Sequence, residues 1–182
     1  FIGHGGSYSG IMNTEEAFRN AFTIHGYQGI ECDVKQTKDG VFVLCHDDTW
    51  KGKGPNDKTD VVYTIASTNY NDLKDVVRTE SRNSGIPSQN GSVTNSPYSS
   101  KICTLERYLE ICKEYGITAV IELKYSEGIS ASSQSRMQAL MDLVEKYDLI
   151  DQTILLGSQY QCLIWARNNG YDTVTCQYLV NS

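Results

Sequence analysis

The chain has 182 residues, enough for one domain with its own core, and a formal net charge of −6. That acidic balance excludes general nucleic-acid binding, which works by neutralising phosphates, although a local site of opposite sign can still take a small anion. No apolar run approaches the roughly 18 residues of a membrane span, and residues 1–4 show neither an initiator Met nor a signal-peptide pattern.

In chain order, Phe1-Ile2-Gly3-His4 predicts a short strand. Asn13-Thr14-Glu15-Glu16 has the form of a capping box, with Asn13 as the cap and Glu16 three residues on. The helix it starts is predicted to run to about residue 25 and stop at Gly26. Residues 29–34 predict a strand, Lys38-Asp39-Gly40 a turn, and residues 41–46 a second apolar strand. Residues 47–101 are polar and rich in Gly, Ser, Asn and Thr, with a short helix predicted near 71–78 and irregular structure over 83–100. A segment this long in a compact domain is usually functional or mobile. Regularity returns with helices predicted at 104–115, 133–147 and 159–168 and strands at 119–123, 153–157 and 173–179.

Strands alternating with helices predict a parallel sheet with crossover connections, and apolar strands fit burial on both faces. The fold class is α/β, a TIM (β/α) barrel of which about six of eight units are present, in a single domain over 1–182 with a polar insertion at 47–101. A complete barrel takes eight units and about 250 residues. The sequence is therefore expected to be a fragment, or to form a homo-oligomer in which a partner completes the sheet. Six cysteines, none in CxxC spacing, read as small buried hydrophobes. They weakly favour a reducing, cytoplasmic setting.

In parallel α/β folds the chemistry gathers at the carboxyl ends of strands. His4 ends the first predicted strand and His46 the third; Glu31 and Asp33 interrupt the second; Glu122 and Lys124 close the fourth; Ser158 follows the fifth. Side chains at i and i+2 share a strand face, so Glu31 points with Asp33 and Glu122 with Lys124, while Ile30, Cys32 and Val34 turn toward the helices. Converging carboxylates repel one another unless a cation resolves the charge. An all-oxygen set suits Mg²⁺ or Ca²⁺. Two histidines at the same mouth supply the base and the acid that phosphodiester hydrolysis needs. Ser158 is a candidate substrate contact, and Gly5-Gly6 permits close backbone approach to a ligand. Trp50 and Tyr8 are candidates to wall a pocket. His25, before Gly26, reads as a structural helix-end residue.

These residues resemble a family. Gly3-His4-Gly5-Gly6, Asn13-Thr14-Glu15-Glu16-Ala17-Phe18, the block Ile30-Glu31-Cys32-Asp33-Val34-Lys35-Gln36-Thr37-Lys38-Asp39-Gly40-Val41, His46-Asp47-Asp48-Thr49, Thr104-Leu105-Glu106 and Ile121-Glu122-Leu123-Lys124 follow one another as in the glycerophosphodiester phosphodiesterases. The resemblance implies a TIM barrel that hydrolyses a small glycerophosphodiester to glycerol 3-phosphate and an alcohol. It implies His4 and His46 as the acid/base pair, Glu31, Asp33 and Glu122 as ligands of a divalent metal, Lys124 facing the phosphate, and 47–101 as a cap over part of the site. It also implies an Arg directly after the first histidine, where this chain has Gly5. Lys124 and the metal, or Lys51 or Lys53 of the insertion, are then left to meet the phosphate. Two other functions stay open: a related phospholipase acting on intact lipids, as in sphingomyelinase D-like relatives, and a catalytically silent phosphodiester-binding barrel.

Overall fold

The structure is a computed structural model that describes residues 1–87, 93–124, 134–157, 160–171 and 175–178. Its frame is a sheet in which β1 (Ile2–Gly3), β2 (Gly29–Gln36), β9 (Thr118–Leu123), β10 (Thr153–Gly157) and β11 (Thr175–Tyr178) run parallel. Helices α1 (Glu15–Thr23), α3 (Leu105–Tyr115), α4 (Gln134–Lys146) and α5 (Tyr160–Asn168) alternate with these strands, the β/α pattern of a barrel wall.

β2 shows how the sequence builds this wall. Ile30, Cys32 and Val34 join Phe18, Leu105, Leu109 and Met141 in the main apolar core, while Glu31, Asp33 and Lys35 take the opposite face. Tyr108 of α3 fastens the wall: its hydroxyl donates to the Ile30 carbonyl at 2.5 Å and accepts from the Val120 N–H at 3.0 Å. Thr14 rather than Asn13 caps α1, accepting from the Ala17 N–H. Asn13 takes a left-handed φ of 63° and is freed for another task.

Three expectations are corrected. The predicted third strand is β3 (Phe42–Leu44), but it pairs antiparallel with β2, Val34 opposite Leu44. The link from Thr37 to Val41 is too short for a parallel crossover, which needs a dozen or more residues. The described parallel strands are therefore five, not six. The described residues of 83–100 are not irregular: β6 (Val77–Pro87) pairs antiparallel with β7 (Val93–Lys101), beside a shorter pair of β4 (Thr49–Gly52) and β5 (Val61–Thr64). The helix expected over 71–78 shrinks to α2 (Tyr70–Leu73).

A second small core joins the insertion to the sheet, with Val43 of β3, Cys45 and Ile102 packing against Trp50, Ile65, Leu73 and Val76 of the insertion. Strand β8 (Cys103–Thr104) returns the chain to the sheet by pairing with β3. Cys32, Cys45, Cys103, Cys112 and Cys162 are free and buried, as small hydrophobes. No described helix is long and apolar enough to cross a membrane.

The Tyr108 hydroxyl serves two buried backbone groups, so Tyr108→Phe is expected to cost about 1–3 kcal/mol of stability in denaturant titrations. A change below a few tenths of a kcal/mol would contradict the bridge.

Candidate active site

Strand register assembles the site. Asp33 and Glu122 are direct neighbours across β2 and β9, and Glu31 shares the face of Asp33. The pairing of β1 with β2 sets Gly3 beside Ile30, so His4, one residue on, comes level with Glu31. Glu31, Asp33 and Glu122 each offer an oxygen, and the three oxygens lie within 4.8 Å of one another.

His46 reaches the same place by another route. β2 overshoots the mouth, turns at Thr37–Val41 and comes back as β3; the Cys45 N–H then bonds the Asp33 carbonyl at 3.0 Å. His46 follows at once. A cleft of about 300 Å³ has both His4 and His46 in its lining, with Asn13, Arg78 and Arg82. The histidines are 74% and 60% exposed, open to a ligand from solvent.

Each carboxylate is held. The Gly5 N–H donates to Glu31 Oε2 at 2.6 Å, and His4 Nε2 lies 3.9 Å from the same oxygen. Asn13 grips Asp33 twice: its Nδ2 donates to Oδ2 at 2.7 Å, and its Oδ1 accepts the Asp33 N–H at 2.9 Å. The left-handed turn at Asn13 aims that amide inward. Lys124 Nζ lies 2.8 Å from Glu122 Oε1 and 2.9 Å from Asp33 Oδ1, the second an ion-pair contact without hydrogen-bond geometry. Lys35, on the same face of β2 and only 1% exposed, pairs with Asp48 at 2.8 Å and ties down the segment after His46.

Two carboxylate oxygens, Glu31 Oε1 and Asp33 Oδ1, are buried with no hydrogen-bond partner among the described residues; the second has the Lys124 ammonium as its ion-pair partner, and Glu31 Oε1 is the orphan. Burial, then the charge of Asp33, push the Glu31 carboxyl up to about 8, against the pull of the Gly5 amide. Burial also disfavours the Lys124 charge, but Glu122 and Asp33 outweigh it, and its ammonium is held above the usual lysine value. An orphaned, strongly strained carboxylate beside two others fits a hard divalent cation with oxygen ligands. The residues present therefore suit the metal that the sequence implies.

Other expected residues are placed as follows. Gly5 is buried, has φ +61°, and spends its N–H on Glu31. That left-handed φ strains any side chain, so the arginine expected after His4 would sit on an unfavourable backbone, whereas the flexible tip of Met12, 2.7 Å from a Cβ there, can move aside. Lys51 is exposed on β4, and Lys53 faces a separate groove with Asp60 and Asp75. Neither lines the histidine cleft. Tyr8 lines a neighbouring groove with His4, whereas Trp50 is sealed in the second core, its Nε1 donating to the Val76 carbonyl at 3.1 Å. His25 stacks on Tyr27 at 5.4 Å. Ser158 lies outside the described residues. The sequence reads Asn13 as a helix cap first and a supporting contact of the site second; the structure makes it the partner of Asp33, and Asn is among the few residues at ease with positive φ. Sequence reasoning missed Lys35, which continues the spacing of Glu31 and Asp33, and it missed Arg78 and Arg82.

The family model for the "Glycerophosphoryl diester phosphodiesterase family" matches residues 3–167. The chain belongs to that family. No curated protein matches it. Among solved structures, the fold resembles a family protein from Silicibacter pomeroyi (TM-score 0.74, 20% identity, 98% of this chain). It also resembles a glycerophosphodiester phosphodiesterase from Parabacteroides distasonis (0.69, 24%, 97%). A third is an Oleispira antarctica phosphodiesterase in complex with the product sn-glycerol-3-phosphate (0.70, 20%, 100%). The chain spans 64%, 63% and 66% of those three proteins. The likeness establishes the barrel fold.

The raised Glu31 carboxyl has a signed consequence. The folded, metal-free protein binds that proton more tightly than the unfolded chain, whose value is near 4.5, so stability falls as pH rises from about 4.5 to about 8. Denaturation in EDTA is expected to show this decline, and Glu31→Gln to flatten it. Equal slopes in the two proteins would contradict the burial of a strained carboxylate.

Proposed function

We propose that this protein hydrolyses glycerophosphodiesters to glycerol 3-phosphate and an alcohol, with a divalent cation, Mg²⁺ or Ca²⁺, held by Glu31, Asp33 and Glu122. The observation that carries this reading is the junction of that carboxylate set, with its orphaned Glu31 oxygen, and two exposed histidines in one cleft. Membership of the family supports it, as does the product sn-glycerol-3-phosphate in the Oleispira antarctica relative.

The bound cation would supply charge for the phosphoryl oxygens and position the diester. The protein's own groups do the rest. One histidine removes a proton from the attacking water as its oxygen bonds to phosphorus. The other donates a proton to the leaving alkoxide as the second phosphorus–oxygen bond breaks. His46 Nδ1 sits 3.2 Å from Asp47 Oδ1; when Nδ1 donates there, Nε2 is the nitrogen left to exchange a proton with the substrate. Asn13 and the Gly5 amide orient the carboxylates, a supporting shell of the kind metal sites depend on.

Among its described residues, the insertion offers the lipid-acting reading no apolar rim at the histidine cleft. The exposed large apolar residues described in the insertion are Val61 and Val62 of β5, and neither lines the histidine cleft.

The full-length protein is expected to hydrolyse glycerophosphocholine with Mg²⁺ or Ca²⁺ and to stop in EDTA. His4→Ala and His46→Ala should each lower kcat by about 10²–10⁴-fold. Absence of metal-dependent turnover in the wild-type protein would contradict the proposal and favour a silent binding barrel.

A further inference from the structure

A phosphodiester keeps a negative charge throughout its hydrolysis, and a site that holds it in water needs a cation aimed at its free oxygens. The lysine at the mouth does not supply one, because the Lys124 ammonium lies 2.8 Å from Glu122 and 2.9 Å from Asp33. The cationic side chains that line the cleft between His4 and His46 are Arg78 and Arg82. Both come from β6, in the longer strand pair of the insertion, where Arg78, Glu80 and Arg82 alternate and therefore share one face.

We propose that Arg82 is the phosphate-gripping residue of this site, held ready by Glu80 and Arg78. The inference rests on the phosphodiester reading above. Glu80 is forked between the two arginines: Oε1 meets Arg78 Nε at 2.6 Å and Oε2 meets Arg82 Nε at 3.2 Å. Asp47 lines the same cleft, so the two arginines are balanced there by two carboxylates, and what the trio offers a phosphate is directed N–H donors. Arg78 is the fixed member. Its guanidinium lies over the Trp50 ring, 5.2 Å from the centroid, and 3.8 Å from Asp47. Trp50 is itself locked in the second core. Arg82 is the member with capacity to spare. It meets Glu80 through Nε, and its terminal nitrogens bond no other described residue. That leaves the Nη edge, the fork that fits two phosphate oxygens, unoccupied by described residues. Arg82 also lines the groove on the other side of His4, with Tyr8 and Tyr27, so it borders that histidine from two directions.

This gives the insertion a chemical task as well as a covering one. The expected grip from beside His4 is absent, because the residue there is Gly5, whose left-handed backbone disfavours any side chain. The grip comes instead from a strand distant in sequence.

The test compares wild type, Arg82→Ala, Arg82→Lys and Thr79→Val in the metal-loaded, full-length protein. Thr79 sits on the opposite face of β6, where it bonds Ser99, and serves as the control. Two quantities are read: KM for glycerophosphocholine, and glycerol 3-phosphate affinity by calorimetry, which does not depend on turnover. Arg82→Ala should raise KM and weaken glycerol 3-phosphate binding by about tenfold or more. Arg82→Lys should recover only part, because a point charge cannot make the two-pronged contact. Thr79→Val should match wild type. An active wild type with Arg82→Ala unchanged in both quantities overturns the role of Arg82 and leaves the phosphodiesterase reading intact. A wild type that binds glycerol 3-phosphate through Arg82 without turnover supports this inference while sinking the hydrolytic one. A wild type that binds no glycerol 3-phosphate overturns it.

Discussion

Glu31, Asp33 and Glu122 bring three carboxylate oxygens within 4.8 Å in a mouth where Asp33 is fully buried and Glu31 nearly so. Charges this close and this poorly hydrated repel strongly, and nothing in the apolar wall behind them can screen that repulsion. Much of the local architecture answers it. The Gly5 amide and the Asn13 side chain donate to two of the carboxylates, and Lys124 bridges the second and third. What remains uncompensated is Glu31 Oε1. A site that is nearly but not fully neutralised by its own residues is suited to take up a cation.

The same constraint explains why the backbone bends as it does. Asn13 and Gly5 adopt left-handed conformations in the segment between β1 and α1, and both conformations serve carboxylates of β2. Strand β2 is longer than the barrel needs. Its inner face carries Glu31 and Asp33 at the mouth and Lys35 above it, and its extension pairs with β3 so that His46 is returned to the level of Asp33. The Lys35–Asp48 pair then anchors the chain just past His46. The insertion that follows is joined to the sheet by the second small core, and it presents Arg78, Glu80 and Arg82 to the cleft the two histidines share.

Much of this was legible in the sequence. The alternation of apolar strands with helices predicts the barrel wall, and the spacing of Glu31 with Asp33 and of Glu122 with Lys124 predicts which side chains face together. His46 lines the cleft with His4, but by a route other than the one its sequence position suggests. It was read as the carboxyl end of a parallel strand, yet β3 is antiparallel, and an antiparallel strand meets the mouth only because β2 overshoots it. An apolar run reports burial and does not report direction. Asn13 was read as a helix cap because Asn and Thr both cap well; the structure gives the cap to Thr14 and the amide to Asp33. The β6–β7 pair escaped notice because its strands are polar on both faces, so no apolar period marks them. The pattern Arg78-x-Glu80-x-Arg82 was nevertheless present as three charges at strand spacing.

The account stands or falls on the carboxylate cluster as a cation site. Its most direct test is calorimetric titration of the metal-free protein with Mg²⁺ and with Ca²⁺ near neutral pH, in two buffers of different ionisation enthalpy. With the Glu31 carboxyl raised to about 8, cation binding should expel its proton. The predicted result is one saturable site whose apparent enthalpy depends on the buffer, with both the proton release and the tight binding lost in Glu31→Gln. Binding of neither ion, or binding that Glu31→Gln leaves unchanged, would contradict it.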